Sequence, residues 1–244
     1  MTAVTRDSIA LRGAGVVSIA QPKKGFRFTL DSVLLADFCR IKPSDRILEL
    51  GAGTGVISLL LAKKFPKIRV VADEFEPHAY GLLCLNIEQN TLRGRIVPID
   101  RDINALSRSI APDAFDVIVA NPPYTKCSAG KKSPSRERQA ARQDRSAPLP
   151  VWLDRRDLLK NKGRFFLVFP AGRMAELMSS LRERQLELKR LRFVHPFWDK
   201  PASLVLLEAV KAAGTGLEVL PPLIVHGPGG EYSKELTDIY GCTP

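Results

Sequence analysis

The sequence predicts an α/β fold: a mostly parallel sheet with helices packed on both faces. Three observations point that way. Short apolar runs alternate with stretches of helical spacing through the middle of the chain. A glycine-punctuated turn, "LGAGTG", joins the first run to the first helical stretch, where a strand passes tightly into a helix beside a ligand. Acidic residues then stand at the ends of the successive runs.

"DRILEL" (45–50) is the first strand, and "TGVISLLLAKKF" (54–65) the helix after it. "RVVAD" (69–73) is the second strand, followed by "PHAYGLLCLNIEQN" (77–90), a helix opened by a proline in its first turn. "RIVPI" (95–99) and "FDVIVA" (115–120) are the third and fourth strands. "GRFFLVFP" (163–170), introduced by a Lys-Gly turn, is the fifth, and "AGRMAELMSSLRERQL" (171–186) is a helix. "LKRLRFVHPF" (188–197) and "ASLVLLEAV" (202–210) close a seven-stranded sheet as a C-terminal antiparallel pair. Ahead of this core lies a Gly-punctuated strand pair and an amphipathic helix from about residue 31. The tail from 217 reads as turns around a short edge strand. The expected organisation is one domain over 1–244: strand pair and helix in 1–38, core in 45–211, basic insertion at 125–150, edge segment at 217–244.

The totals bound the partners. A chain of 244 residues with 45% hydrophobic content fills one core. No apolar run reaches the ~18–20 residues of a membrane span, and the first residues lack the basic-then-apolar pattern of a secretory signal. Cys39, Cys84, Cys127 and Cys242 are scattered, and His78, His195 and His226 have no metal-ligand spacing. A reducing cytoplasm and no metal are therefore expected. With 37 basic and 26 acidic residues, the net charge of +11 favours a polyanionic partner. No obligate protein partner is evident, and no membrane one.

Gly51, Gly53 and Gly55 are spaced G-x-G-x-G, not the G-x-G-x-x-G of a dinucleotide turn, and Glu49 precedes them. An acid there suits a cationic amino acid moiety better than a pyrophosphate; Glu49 could reach the ammonium of S-adenosylmethionine, directly or through water. Glu74, about twenty residues after the loop, lies where a carboxylate accepts two ribose hydroxyls. Asp102 ends the next strand and could take the adenine amino group. Any one strand-end acid is usually a turn former or helix cap; three in succession beside a glycine loop point to a ligand. "LELGAGTG", "EFEP" and "DRD" together resemble the motifs of class I S-adenosylmethionine-dependent methyltransferases, which implies a Rossmann-like sheet and S-adenosylhomocysteine as product. Asp73 stands where that class has an apolar residue, so Asp73 and Glu74 both compete for the ribose. The "EFEP" register favours Glu74, with Phe75 beside it in the cofactor set.

The fourth strand ends in "NPPY", residues Asn121, Pro122, Pro123 and Tyr124. An exocyclic amino group conjugated to a ring is a poor nucleophile, because its lone pair is delocalised. Two acceptors drawing on its two hydrogens favour a pyramidal nitrogen. Asn121 can supply a side-chain oxygen and Pro122 a backbone carbonyl, while Pro123 stiffens the turn. Tyr124 offers a flat face for a planar substrate. Read blandly, the same four residues are a proline turn closing a strand. In methyltransferases the motif marks amino-group specificity: adenine N6, cytosine N4 or the glutamine amide.

The flanks narrow that choice. "QPKKGFRFTLDSVLLADF" (21–38) closely resembles the segment before the glycine loop in bacterial valine-tRNA adenine-N6 methyltransferases, and the likeness runs through "GRFFLVFPAGR" to "HGPGGEYSKELTDIY". It implies that Arg27, Phe28 and Asp31 line the cofactor pocket and that the substrate is tRNA beside the anticodon; read blandly, Thr29 or Asp31 caps the helix that follows, and both readings can hold together. Residues 125–150 carry Lys126, Lys131, Lys132, Arg136, Arg138, Arg142 and Arg145 against Glu137 and Asp144, a net of +5. A charge run is usually a solvated face, but directly after the "NPPY" turn it can hold phosphates near a target base. The rivals are a glutamine N5-methyltransferase acting on a release factor, a DNA adenine methyltransferase, and a non-catalytic RNA-binding protein. The first carries a long helical domain ahead of the fold and the second an added recognition domain, neither of which this sequence shows. "FWDKPAS" (197–203) joins two late strands near the expected rim and takes no role from the sequence.

Overall fold

In the computed structural model, which describes residues 4–23, 27–123 and 147–241, each apolar run becomes a strand whose side chains alternate between two cores. Two strands, β1 (Val4–Leu11) and β2 (Gly15–Pro22), form an antiparallel sheet of their own. After helix α1 (Leu30–Phe38) the main sheet begins with β3 (Arg46–Leu50), then α2 (Val56–Lys64), β4 (Arg69–Asp73), α3 (Pro77–Gln89) and β5 (Ile96–Ile99). Short α4 (Leu106–Ser109) leads to β6 (Phe115–Ala120), and α5 (Leu149–Asp154) to β7 (Leu159–Pro170). Then come α6 (Met174–Glu183), β8 (Leu186–His195), β9 (Leu204–Lys211), two-residue strands β10 (Glu218–Val219) and β11 (Leu223–Ile224), and α7 (Lys234–Ile239).

The main sheet runs β10-β8-β9-β7-β6-β3-β4-β5, with β11 also on β8. Pairing is parallel from β5 through β7, and β9 lies antiparallel between β7 and β8. The seven strands and antiparallel pair expected from the sequence are present, and β10 and β11 bring this sheet to nine. Because side chains alternate along a strand, Ile47, Val117, Val119, Phe166 and Val168 face one core, under α1, α2 and the hairpin. Leu48, Leu50, Ile118, Ala120, Phe165 and Leu167 face the other, under α5 and α6.

Helices α4 and α5 are additional to the expected elements, and two others differ from expectation. The Lys-Gly pair before the fifth strand is not a turn ahead of it. Lys162 adopts φ 58° inside β7 and shifts its register against β6, so the strand starts four residues early, at Leu159. In the tail, the edge strand is joined by helix α7, capped by Ser233, whose Oγ accepts the Leu236 N–H at 3.2 Å.

The outer edge of β2 is closed by a helix. Asn86, fully buried in α3, accepts the Ala20 N–H at 2.7 Å and donates to Ala20 O at 2.9 Å and Thr54 O at 2.8 Å. One turn on, Asn90 accepts from Ser18 N at 3.0 Å and donates to Ser18 O at 2.7 Å. The spacings match: four helical residues rise about 6.0 Å and two strand residues about 6.6 Å. The two carboxamides therefore do for β2 what another strand would. Replacing Asn86 by alanine strands three buried backbone groups, and thermal or denaturant unfolding should show a loss of about 2–4 kcal/mol. A loss under about 1 kcal/mol would mean that water takes over those bonds.

Candidate active site

Gly51, Gly53, Gly55, Asp73, Glu74 and Asn121 lie at the carboxyl ends of β3, β4 and β6, which pair side by side. Leaving β3, the chain takes left-handed conformations at Gly51 (φ 61°), Gly53 (φ 58°) and Gly55 (φ 85°). Space as well as φ demands glycine here. A β-carbon at Gly51 would stand 2.6 Å from Cη2 of Trp152, and one at Gly55 2.5 Å from Cδ1 of Leu83. The loop is tied to the next strand by the Ala52 N–H on Asp73 O at 2.7 Å.

Glu74, after β4, holds the loop with its carboxylate. Oε2 accepts the Gly53 N–H at 2.7 Å and Oε1 the Glu76 N–H at 2.8 Å. Each oxygen is thereby fixed and keeps a second lone pair for a hydroxyl donor. Burial raises the pKa of this carboxyl, partly offset by those N–H groups. Asp73 is 2% exposed, and its Oδ1 is a buried oxygen without a hydrogen-bond partner. Burial pushes its carboxyl up to about 7; the Arg101 backbone N–H lowers it and the charges of Glu74, Asp102 and Asp100 raise it further. Phe75 presents its ring to solvent, 60% exposed. Asp102 lies beyond the end of β5, where it accepts the Asn104 N–H at 2.8 Å and caps the short 3₁₀ turn of Ile103–Ala105. It is a helix cap, whatever else it does.

Glu49 is placed differently from expectation. It is 2% exposed, and its Oε2 accepts both the backbone N–H of Ser58, at 2.9 Å, and the Ser58 hydroxyl. The carboxyl straps β3 to the first turns of α2. Burial pushes it up to about 8, with the Ser58 bonds offsetting part of the rise.

Leu50 pairs with Ala120, so Asn121 leaves β6 beside the glycine turn. Its Nδ2 donates to the Ser32 Oγ of α1 at 3.1 Å, which fixes the two ends of the amide and turns the oxygen end away from Ser32. Pro122 is buried and Pro123 exposed. Asp31 lies in the first turn of α1, next to Ser32, while Thr29 makes no side-chain cap bond. Phe28 packs on the core beneath the hairpin. Arg27 is held by β1: it donates to Thr5 Oγ1 at 3.1 Å and pairs with Asp7 at 2.9 Å. Tyr124 and the basic residues Lys126, Lys131, Lys132, Arg136, Arg138, Arg142 and Arg145 lie outside the described residues.

Two participants were not singled out by sequence reasoning. Ser32 stood inside a segment already noted, between Asp31 and Val33. Trp152, buried against Gly51 with Nε1 donating to Ala147 O at 3.0 Å, is one of two tryptophans and directly follows the basic run, which was the available signal.

The arrangement fits S-adenosylmethionine on three counts. The turn has no room for β-carbons at Gly51 and Gly55, a pinned carboxylate keeps acceptor capacity, and an aromatic face stands beside it. Among the described residues no group of three or more His, Cys, Asp or Glu side chains is placed to hold a metal ion, and no helix is long and apolar enough to cross a membrane.

Comparison with known proteins gives concordant results. Residues 12–137 match the family model of the methyltransferase small domain. A tRNA1(Val) (adenine(37)-N6)-methyltransferase of Porphyromonas gingivalis is 33% identical over 227 residues, 89% of this chain and 88% of the relative. A protein of the same name from Vibrio campbellii is 29% identical, over 91% and 90%. Among solved structures, a predicted O-methyltransferase from Agrobacterium tumefaciens superposes with a TM-score of 0.69 at 19% identity, covering 87% of this chain and 96% of that one. A T. thermophilus 16S rRNA N2 methyltransferase in complex with AdoMet and guanosine gives 0.59 at 22% identity, over 85% and 50%. These two likenesses establish the fold.

Glu49 makes stability pH-dependent. The unfolded carboxyl loses its proton near 4.5 and the folded one near 8, so between those values the folded state holds a proton that the unfolded chain has released. The ligand-free protein should therefore lose stability as the pH rises from about 5 to 8, and Glu49→Gln should flatten that slope in melting curves. An unchanged slope in the variant would acquit Glu49.

Proposed function

Because the chain belongs to the methyltransferase small domain family, we propose that it transfers a methyl group from S-adenosylmethionine to N6 of an adenine in tRNA, beside the anticodon. The observation that carries this reading is Asn121, set at the end of β6 beside the glycine turn with its amide oriented by Ser32. The near-full-length likeness to tRNA1(Val) (adenine(37)-N6)-methyltransferases supports the choice of tRNA and adenine.

When bound, S-adenosylmethionine supplies a methyl group on a positively charged sulfur. Gly51, Gly53 and Gly55 let the backbone approach it, Glu74 takes the ribose, and Phe75 and Asp102 serve the adenine ring and its amino group. Arg27, Phe28 and Asp31 would line the pocket from the α1 side, and Asp73 and Glu49 behind the turn would give up their protons beside the cationic ligand. The target nitrogen needs acceptors for its hydrogens. Asn121 offers its carboxamide oxygen and Pro122 its carbonyl, and such fixed dipoles cost no reorganisation during reaction. Pro123 keeps the turn rigid, Tyr124 gives the flipped adenine a face to stack on, and alignment of amine and methyl does the rest. No strong base is required, since the alkylated nitrogen is cationic and yields its proton to water. A base in an anticodon loop costs only a few kcal/mol or less to unstack. Lys126, Lys131, Lys132, Arg136, Arg138, Arg142 and Arg145 would hold the phosphates around it. The setting is the cytoplasm, where unmodified tRNA is found.

Label from S-adenosylmethionine should enter unmodified bacterial tRNA and return as N6-methyladenosine on digestion, while release factor and duplex DNA stay unlabelled. Label in the release factor would mean that Asn121 and Pro122 grip a glutamine amide. Asn121→Ala should lower kcat by at least about a hundredfold, the scale of losing one preorganised polar contact, and leave the cofactor Kd within about twofold. A variant that kept the wild-type rate would sink the proposed role. Reversing four of the basic charges within 126–145 should weaken tRNA binding and flatten its salt dependence without touching cofactor binding. Unchanged affinity would reduce the run to a solvated surface.

A further inference from the structure

The turn between β8 and β9 is built around an exposed ring. The Lys200 N–H donates to Phe197 O at 3.2 Å, and the His195 ring nitrogen Nδ1 bonds Lys200 O at 2.8 Å. Trp198 stands on this turn, 77% exposed. Beside it Phe197 begins a row of rings: Phe197 on His226 at 5.1 Å between centroids, His226 on Tyr232 at 5.5 Å, Tyr232 on Tyr240 at 6.1 Å. The His226 ring pins a second turn through Gly230 O at 3.0 Å, and Tyr232 is 53% exposed. A single exposed apolar residue needs no explanation. Exposed indole and phenol rings thus stand on two hydrogen-bonded turns that the stacked Phe197 and His226 rings join, and the fold itself leaves both rings uncovered.

Its direction matters. β9 is antiparallel to both β7 and β8, so β8 runs the same way as β6. The end of β8 from which Trp198 emerges is therefore at the same sheet edge as Asn121, with β7 and β9 between them. Three strand spacings put the turn roughly 14 Å from the end of β6.

Resting on the reading of the site as an RNA adenine methyltransferase, we propose that Trp198, on the turn anchored by the stacked Phe197 and His226, is a stacking ledge for an unpaired nucleotide flanking the target base. Aromatic faces take any base, because every base has a π-face, and single-stranded RNA in a loop presents them. The charges around the turn give a phosphate clamp little to work with. Lys200 is 3.1 Å from Asp199 and Lys234 is 2.9 Å from Asp238, and Glu231 and Glu235 lie on the same tail segment. The ledge contributes by stacking, and its contribution is insensitive to salt, unlike that of the basic run.

The test measures methyl transfer to an unmodified tRNA1(Val) transcript at low and moderate salt. Trp198→Ala should raise the KM for tRNA about 5- to 30-fold by the same factor at both salts, with kcat and the KM for S-adenosylmethionine unchanged. Trp198→Phe should recover part of the loss. In parallel, the transcript should quench tryptophan emission of the wild type more than that of Trp198→Phe. If the transcript is methylated yet Trp198→Ala keeps the wild-type KM, the ledge is wrong and the functional reading stands. A fall in kcat at saturating tRNA would assign Trp198 to the integrity of the site and also overturn the ledge. If no variant, wild type included, methylates tRNA, the functional reading fails first and the ledge with it.

Discussion

The architecture hangs on a pair of carboxamides acting as a strand. Asn86 and Asn90 pair with Ala20 and Ser18 at the edge of β2, and Asn86 also donates to the Thr54 carbonyl. Without this, β2 would present an open, hydrogen-bonding edge, and the glycine turn would lose a backbone anchor. The hairpin, in turn, packs Val17 and Ile19 onto the core that supports α1 and α2. Ser32 of α1 is the residue that orients Asn121. A path of direct contacts thus leads from one buried amide on α3 to the candidate catalytic amide on β6.

Charge is sorted across the molecule. The chain carries +11 overall, yet the loops at the ends of β4 and β5 crowd Asp73, Glu74, Asp100 and Asp102 together, with Glu49 buried behind the turn. Burial lifts Glu49, Asp73 and Glu74 above their ordinary range, so the apo site holds carboxyls that a cationic ligand would drive back toward the charged form. A sulfonium cofactor would thus meet an acidic pocket in a chain whose net charge is +11.

Much of this was legible in the sequence, because local patterns determine it. The strand runs, the glycine spacing and the position of Asn121 follow from periodicity and turn chemistry, and β6 and β4 begin and end where the apolar runs do. What escaped depends on how the chain folds around each run rather than on the run itself. Glu49 reads as a ligand-facing acid until α2 folds back and Ser58 takes its carboxyl. Asp102 looks like a strand end, but the strand stops at Ile99 and the residue caps a 3₁₀ turn. The Lys-Gly pair before the fifth strand reads as a turn because its bulge exists only against β6. Asn86 did leave a trace: it shares the buried stripe of Leu82, Leu83 and Ile87, where an amide has no place unless something across from it needs two bonds.

The same ladder sets a timetable for synthesis. Ser18 and Ala20 meet Asn90 and Asn86 across 72 and 66 residues of chain, so the hairpin leaves the ribosome long before its partner helix exists. At about 5–20 residues per second, the gap lasts roughly 4–14 s. A lone two-stranded ribbon is at best marginally stable in water, and during those seconds its outer edge is open to any other strand. The glycine turn waits as well, because Thr54 acquires its amide partner only when α3 has formed. Competence to bind therefore cannot precede α3, and a pause in translation before α3 would lengthen the interval in which the hairpin edge is open to mispairing.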